Sequence, residues 1–171
     1  MLKAVFFDLG DTLIVEQGDS HLGETPFEAV LQAEETLAAI KKKGFKVGII
    51  TNTTISTEKD VRKILQQLGL ESYIDFVVTS VDAGCEKPDG RIFSMALRAV
   101  GVKASDAVMV GDRVAKDIVG GNRIGMKTIL FKWNQRYPET VTEQEEQPTY
   151  TIKDLKELQH VLDQIERNPY Q

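Results

Sequence analysis

The sequence predicts a three-layer α/β domain in which helices cover both faces of a doubly wound parallel sheet. Short apolar runs such as Ala4–Phe7 and Val47–Ile50 recur along the chain, and polar residues follow them. Longer segments between these runs carry apolar residues at helical spacing. Continuous apolar strands that alternate with amphipathic helices are typical of a parallel sheet that is buried on both faces.

The predicted strands are short, and the last of them lies at an edge of the sheet. They are Ala4–Phe7, Val47–Ile50, Phe76–Thr79, Ala107–Val110, Thr128–Phe131 and Tyr150–Ile152. Helix ends are indicated by a proline in a first turn, by a Thr-x-x-Asp capping box, and by glycines just past the last turns. The predicted helices run from Pro26 to Lys43, from Thr57 to Leu68, from Ile92 to Val100, from Val114 to Val119, where Gly120 and Gly121 close the helix, and from Leu155 to Ile165.

The whole chain, residues 1–171, is interpreted as one domain, since a chain of this length buries roughly 70% of its unfolded surface. Residues 14–27 mix glycine, acids and His21 without periodicity, which indicates a short flap. Residues 132–148 are polar and acidic, and we expect Glu143, Glu145 and Glu146 to lie in a solvated loop.

Composition and charge argue against several classes of protein. The formal charge is −5 and no basic run is interleaved with aromatic residues, so we expect no nucleic-acid partner and no acidic membrane surface. No apolar stretch reaches the roughly 18 residues of a membrane span, and the run before Asp8 is too short for a signal peptide. A soluble cytoplasmic protein is the expectation. The single cysteine, Cys85, excludes an internal disulfide.

Polar side chains follow four consecutive strand or strand-loop units of the predicted sheet. They are Asp8 and Asp11, then Thr51 and Asn52, then Lys87, and finally Asp112 and Asp117. In an open parallel sheet, the carboxyl ends of the strands meet at one edge, and ligands bind there. We therefore expect these side chains to lie close together. Taken separately, these acids have plainer interpretations. Asp8 and Asp11 would belong to an Asp-Gly-Asp turn, Asp112 would cap a helix, and Asp117 would be a surface acid.

The predicted cluster carries an excess of negative charge. Four carboxylates and one lysine leave a net charge of −3. Two like charges about 5 Å apart repel by roughly 3 kcal/mol at an effective dielectric constant of 20. A divalent cation would relieve this repulsion, and a set of oxygen ligands suits Mg²⁺ better than Zn²⁺.

The order of these motifs resembles the haloacid dehalogenase (HAD) superfamily. That superfamily has an N-terminal D-x-D-x-T motif, a Thr or Ser at a strand end, a Lys, and a Gly-Asp followed by a second acid. The corresponding stretches are Phe6-Phe7-Asp8, Ile50-Thr51-Asn52, Glu86-Lys87-Pro88-Asp89 and Gly111-Asp112-Arg113 through Asp117 to Asn122. The similarity covers nearly the whole chain and implies a Rossmann-like, HAD-like fold.

The resemblance also implies a function, a Mg²⁺-dependent phosphomonoester hydrolase. It makes Asp8 the nucleophile, which forms an aspartyl-phosphate that water hydrolyses. Thr51, Asn52 and Lys87 would bind the phosphate. The metal ligands that it implies are Asp8, the backbone carbonyl of Gly10, Asp112 and Asp117.

Two features depart from the family pattern. Most HAD phosphatases have a second Asp two residues after the nucleophile as the general acid and base, whereas this chain has Gly10, and the next acid is Asp11. Asp11 is therefore the candidate acid and base, although some sugar-phosphate phosphatases of the superfamily also have D-x-G. Only 43 positions separate Asp8 from Thr51, and 36 separate Thr51 from Lys87, which leaves no room for a cap domain. An uncapped site either admits bulky phosphorylated substrates besides small metabolites or is closed by a second subunit of a homo-oligomer.

Two other functional interpretations remain open. The missing acid is compatible with a HAD scaffold that has lost turnover and serves as a regulatory or binding domain. A receiver domain also places Asp, Thr and Lys at strand ends, but its phosphate-accepting Asp follows a middle strand, where this chain has Val77-Val78-Thr79-Ser80.

Overall fold

The computed structural model of the protein describes residues 1–16 and 27–168. Its sheet contains β1 (Ala4–Phe7), β2 (Lys46–Thr51), β3 (Phe76–Thr79), β4 (Ala107–Gly111), β5 (Lys127–Phe131) and β6 (Tyr150–Ile152). All of the predicted strands are therefore confirmed. Most of the predicted flap at residues 14–27, including His21 and Pro26, lies outside the described residues.

The six strands pair in the order β3-β2-β1-β4-β5-β6, and every pair is parallel. The chain starts in the middle of the sheet, winds outward to β3, and then returns to the other side of β1. The strand order therefore reverses between β1 and β4. In doubly wound folds, this switch point opens a crevice at the carboxyl ends of the two strands.

The helices are α1 (Ala33–Lys42), α2 (Glu58–Gln67), α3 (Ser80–Ala83), α4 (Gly90–Val100), α5 (Val119–Arg123) and α6 (Glu157–Arg167). A single π-helical turn, Val114–Ile118, leads into α5. The short helix α3 was not predicted from the sequence. Within the described residues, no helix is both long enough and apolar enough to cross a lipid bilayer.

Alternate side chains of β1 enter two separate hydrophobic cores. Val5 and Phe7 pack with residues of α1, α2 and α6, whereas Ala4 and Phe6 pack with residues of α4. All four side chains are fully buried. A strand with apolar residues on both faces needs a helical layer on each side, so the predicted three-layer, doubly wound α/β fold is confirmed.

The first helix begins at Ala33, so the prediction that it begins at Pro26 was wrong. Residues 28–30 instead lie antiparallel to residues 13–15, with two backbone hydrogen bonds of 2.8 and 2.9 Å. Gln32 then turns the chain with a left-handed φ of 66°. Val30, two residues before this turn, is buried at the end of the strand-like pairing, whereas Leu31 is 79% exposed. Local helical spacing cannot reveal this difference.

The glycine pair Gly120–Gly121 lies inside α5, so the prediction that it ends the helix was also wrong. A Cβ atom on Gly120 would lie 2.3 Å from the ring of Phe93, and one on Gly121 would lie 2.7 Å from the methyl group of Thr128. Both distances are too short for real atoms. The glycines therefore allow α5 to pack closely against α4 and β5.

Candidate active site

A cavity of about 430 Å³ opens at the switch point of the sheet. It is lined by residues of the loops after β1, β2 and β4, together with Lys87. The Asp8 amide donates to the carbonyl of Val110 at 2.9 Å, which extends the pairing of β1 and β4 by one step. This bond holds the backbone of Asp8 beside the loop that carries Asp112.

Lys87 joins two carboxylates at the floor of the cavity. Its Nζ atom lies 2.7 Å from Asp8 Oδ1 and 2.6 Å from Asp117 Oδ1, and its side chain is only 2% exposed. Burial disfavours the ammonium, but the charges of Asp117 and Asp8 more than offset this effect, so the pKa of Lys87 lies above its ordinary value. Lys87 is therefore a fixed positive charge.

Asp8, Asp112 and Asp117 form a compact acidic cluster. One carboxylate oxygen from each lies within 4.8 Å of the others. Burial and the neighbouring Asp8 and Asp117 carboxylates raise the pKa of Asp112 to about 8. Burial also raises the pKa of Asp117 to about 6, although Lys87 acts in the opposite direction. The cluster therefore holds protons unless another cation compensates its charge.

The position of Asp117 depends on a neighbouring glycine. Its Oδ2 atom would lie 2.2 Å from a Cβ atom on Gly111, and it accepts a 3.0 Å hydrogen bond from the amide of Arg113. Any side chain at position 111 would displace the carboxylate. The Gly-Asp of the sequence motif is thus required by the position of the second acid as well as by the turn.

Asn52 fixes the loop that carries Lys87. Its Oδ1 atom accepts from the Lys87 amide at 2.8 Å, and its Nδ2 atom donates to the Lys87 carbonyl at 3.1 Å. Thr51 is 4% exposed at the end of β2 and lines the same cavity. The three residues that were predicted to bind phosphate, Thr51, Asn52 and Lys87, thus line the same cavity. Asn52 also holds the backbone of Lys87 in place.

Gly10 and Asp11 are neighbours in the chain but have different surroundings in the structure. Gly10 lines the cavity, and its φ is not left-handed, whereas Asp11 has a φ of 51°. The Asp11 carboxylate is fully buried and accepts hydrogen bonds from the amide of Glu16 at 2.9 Å and from Arg136 Nε at 2.6 Å. Because Arg136 balances this carboxylate, the remaining cluster carries two excess negative charges rather than three.

Residues 132–139, which we call the post-β5 segment, pack across the cavity mouth. Lys132 Nζ donates to the carbonyls of Asp112 and Tyr137, at 3.1 and 2.6 Å. Trp133 Nε1 donates to the carbonyl of Asp11 at 2.7 Å. The polar, acidic composition of residues 132–148 did not predict this packing. These side chains belong to no motif and have no regular spacing, so their role could not be predicted from the sequence.

Exchanging Asp11 for asparagine tests whether Asp11 is the general acid. Asparagine retains an oxygen for the Glu16 amide and tolerates the left-handed backbone, so only the charge that faces Arg136 is lost. The geometry predicts a lower melting temperature with kcat changed by less than about threefold. A general acid would instead contribute about 10²–10⁴ to the rate. If folded Asp11→Asn protein lost kcat by about 10²–10⁴, Asp11 would be identified as the general acid.

Comparisons with known proteins agree with the sequence motifs. A family model described as haloacid dehalogenase-like hydrolase matches residues 7–131. The glyceraldehyde 3-phosphate phosphatase of Pyrococcus furiosus is 40% identical over 131 residues, which are 77% of this chain and 53% of that protein. The ribulose-1,5-bisphosphate 5-phosphatase of Halopiger xanaduensis is 36% identical over 150 residues, which are 80% of this chain and 61% of that protein. The chain thus spans between about half and three-fifths of the length of these curated relatives.

Solved structures share the fold along nearly the whole chain. An uncharacterized protein from Listeria monocytogenes serotype 4b superposes with a TM-score of 0.83 at 29% identity, covering 97% of this chain and 99% of that one. A HAD phosphatase from Thermococcus onnurineus has a TM-score of 0.76 at 23% identity, covering 94% and 98%. The second likeness shows the fold alone. Because the family model extends from the end of β1 to the end of β5, the chain belongs to the haloacid dehalogenase-like hydrolase family.

Proposed function

We propose that the protein is a Mg²⁺-dependent phosphomonoester hydrolase that works through phosphorylation of Asp8. The observation that carries the proposal is the environment of Asp8 at the floor of the cavity. Its Oδ1 atom is held by the buried Lys87 at 2.7 Å, while the side chain remains 13% exposed. A buried, charge-paired carboxylate that still reaches a cavity is suited to attack a bound phosphate.

The reaction proceeds in two displacements. Since Lys87 binds Oδ1, Oδ2 of Asp8 attacks the phosphorus, and the bond to the leaving oxygen breaks. The electron pair of that bond goes to the leaving oxygen, which takes a proton from water. Water then attacks the phosphorus of the aspartyl-phosphate, which releases inorganic phosphate and restores the carboxylate. In both steps, Lys87 and the Thr51 hydroxyl stabilise the charge on the phosphoryl oxygens.

The acidic cluster fits a magnesium ion. Its donors are oxygens, it has two excess negative charges, and its carboxylates approach within 4.8 Å of one another. The residues that would hold the ion are Asp8, the Gly10 carbonyl, Asp112 and Asp117. When bound, Mg²⁺ supplies positive charge that offsets the repulsion between the nucleophile and the phosphate.

The first substrates to examine follow from the names of the relatives. These are a glyceraldehyde 3-phosphate phosphatase and a ribulose-1,5-bisphosphate 5-phosphatase. A panel of small sugar phosphates, together with aryl phosphates whose leaving oxygen needs no proton, is the direct test. Release of phosphate that requires Mg²⁺ is the expected result. A folded protein that hydrolyses none of them would favour the regulatory or binding domain instead.

Removal of the metal should abolish turnover, and lower pH should weaken Mg²⁺ binding. Protons compete for the cluster because the pKa of Asp117 is about 6 and that of Asp112 about 8. At pH values below these pKa values, titration calorimetry should show a falling association constant for Mg²⁺. The expected fall is about tenfold per pH unit for each proton that the ion displaces. Affinity that is independent of pH between 5 and 8 would contradict the assignment.

The same pKa shifts predict the stability of the metal-free protein. A raised carboxyl pKa means that the folded protein holds its proton more tightly than the unfolded chain does. This contribution is complete below pH 4 and is lost as the pH rises towards 8. In excess chelator, the melting temperature should therefore fall with rising pH over this range, and saturating Mg²⁺ should reduce the decrease.

A further inference from the structure

Glu16 occupies the wall of the cavity next to Gly10. A Cβ atom on Gly10 would lie 3.7 Å from Glu16 Oε2 and 3.8 Å from its Cδ atom. The Glu16 carboxylate thus borders the space that a side chain at position 10 would enter, two residues beyond Asp8. The same wall includes the apolar side chains of Ile14, Val15 and Phe27.

Several hydrogen bonds fix Glu16. Its amide donates to Asp11 Oδ1 at 2.9 Å, and its carbonyl accepts from Arg136 Nη2 at 2.6 Å. The Tyr137 hydroxyl donates to the carboxylate, at 3.1 Å from Oε1 and 3.0 Å from Oε2. One phenol uses only part of the capacity of two carboxylate oxygens, which have about four acceptor sites. Among residues 1–16 and 27–168, no other side chain donates to this carboxylate, so its remaining sites can accept from a molecule in the cavity.

Among the described residues, the ion pairs at the mouth join other carboxylates, although Arg136, which pairs with Asp11, is close enough for its charge to attract that of Glu16. Arg113 Nε donates to Glu139 Oε1 at 2.6 Å, and Lys116 Nζ lies 3.3 Å from Glu86 Oε1, so both cations have a carboxylate partner. In the part of the chain that the structure describes, no lysine or arginine forms an ion pair with the Glu16 carboxylate. A hydroxyl group of a ligand can donate a hydrogen bond to the Glu16 carboxylate, whereas an ionised carboxylate of a ligand has no proton to donate and faces a like charge.

We propose that Glu16, held by Tyr137, is a specificity-determining residue that binds the leaving group of the substrate. It accepts a hydrogen bond from a hydroxyl of an uncharged, hydroxylated carbon skeleton, which packs on the apolar wall. It disfavours a leaving group that carries a carboxylate. This inference rests on the proposed phosphatase function and narrows its substrates to monoesters of neutral polyols and sugars.

Three phosphate monoesters with a three-carbon leaving group test the inference. Glycerol 3-phosphate offers hydroxyls, n-propyl phosphate offers none, and 3-phosphoglycerate carries a carboxylate. A hydrogen bond to a charged group predicts that kcat/KM is about tenfold or more higher for glycerol 3-phosphate than for n-propyl phosphate. The value for 3-phosphoglycerate should be the lowest of the three.

In Glu16→Gln protein, the ratio of kcat/KM for glycerol 3-phosphate to that for n-propyl phosphate should fall by about tenfold. The kcat/KM for 3-phosphoglycerate should rise. The value for n-propyl phosphate should stay within about threefold, since this substrate makes no hydrogen bond to Glu16. Tyr137→Phe should reduce the preference less, because Glu16 remains but loses its anchor. Glu35→Gln, which removes an exposed carboxylate from α1, is the control for net charge and should change none of the ratios.

Two results would overturn the inference. One is an unchanged preference in Glu16→Gln protein. The other is an equal loss with all three substrates, which would place Glu16 in the chemical step. Calorimetric binding of the same compounds to Asp8→Asn protein, with and without Glu16→Gln, separates this inference from the phosphatase proposal. Selective binding that depends on Glu16 would support the subsite even if wild-type turnover were absent, and binding without selectivity would refute it.

Discussion

Asp8→Asn protein is expected to lose phosphatase turnover by at least about a thousandfold while remaining folded. The asparagine is isosteric and can still accept the hydrogen bond from Lys87, but its amide is not a nucleophile. Losses of this order or larger follow the removal of a nucleophile in enzymes that work by covalent catalysis. The change also removes one charge from an acidic cluster that has two in excess, so the metal-free protein should unfold at the same temperature or higher.

The measurement is single-turnover phosphate release with an aryl phosphate, together with thermal unfolding of both proteins in chelator. Asp106→Asn is a matched control, because Asp106 is an aspartate at the opposite end of β4, where it pairs with Lys3. This control should retain full activity. Turnover of Asp8→Asn protein within about tenfold of wild type would exclude Asp8 as the nucleophile.

Lys87→Met is the second change with a large expected effect, and it acts on both stability and activity. Methionine has a similar length but leaves the carboxylates of Asp8 and Asp117 without their shared ammonium. Breaking a buried ion pair by removing one partner costs about 3–5 kcal/mol of the free energy of unfolding. The loss of positive charge beside the phosphoryl group should lower kcat by about 10²–10³ in addition.

Urea unfolding in chelator, with Asp117→Asn as the second change, isolates the stability effect. In Lys87→Met/Asp117→Asn protein, one of the two orphaned charges is gone, so part of the lost free energy of unfolding should return while activity stays low. If Lys87→Met were as stable as wild type, the ion pairs at 2.6 and 2.7 Å would not contribute to folding as we infer.

The sheet and the acidic site could be predicted from the sequence for a common physical reason. Buried parallel strands require apolar runs, and polar residues directly after such runs must lie at the carboxyl edge of the sheet. Asp8 and Asp112 are therefore visible as a pair although 104 positions separate them. The structure places them in one cluster, as this argument predicts.

The mouth of the site could not be predicted in the same way. The apolar residues just before Ala33 have helical spacing, yet residues 28–30 pair with residues 13–15 because this pairing satisfies backbone groups beside the core. The partners of Asp11 and Glu16 come from a polar segment without periodicity. The contact of Arg136 with Asp11 forms because two loops meet in space. The spacing of residues within each loop does not indicate which loops will meet.

The post-β5 segment has a consequence for the order in which the molecule folds. Its contacts with Asp11 and Glu16 join residues that are 120 to 125 positions apart in the chain. Such distant contacts form late, because the entropy of closing a long loop opposes them until the intervening elements have folded. During synthesis, Asp8 and Asp11 emerge from the ribosome well before Tyr137. The proposed nucleophile Asp8 is thus made early, but the contacts that form the mouth of its site must wait until the post-β5 segment has been made.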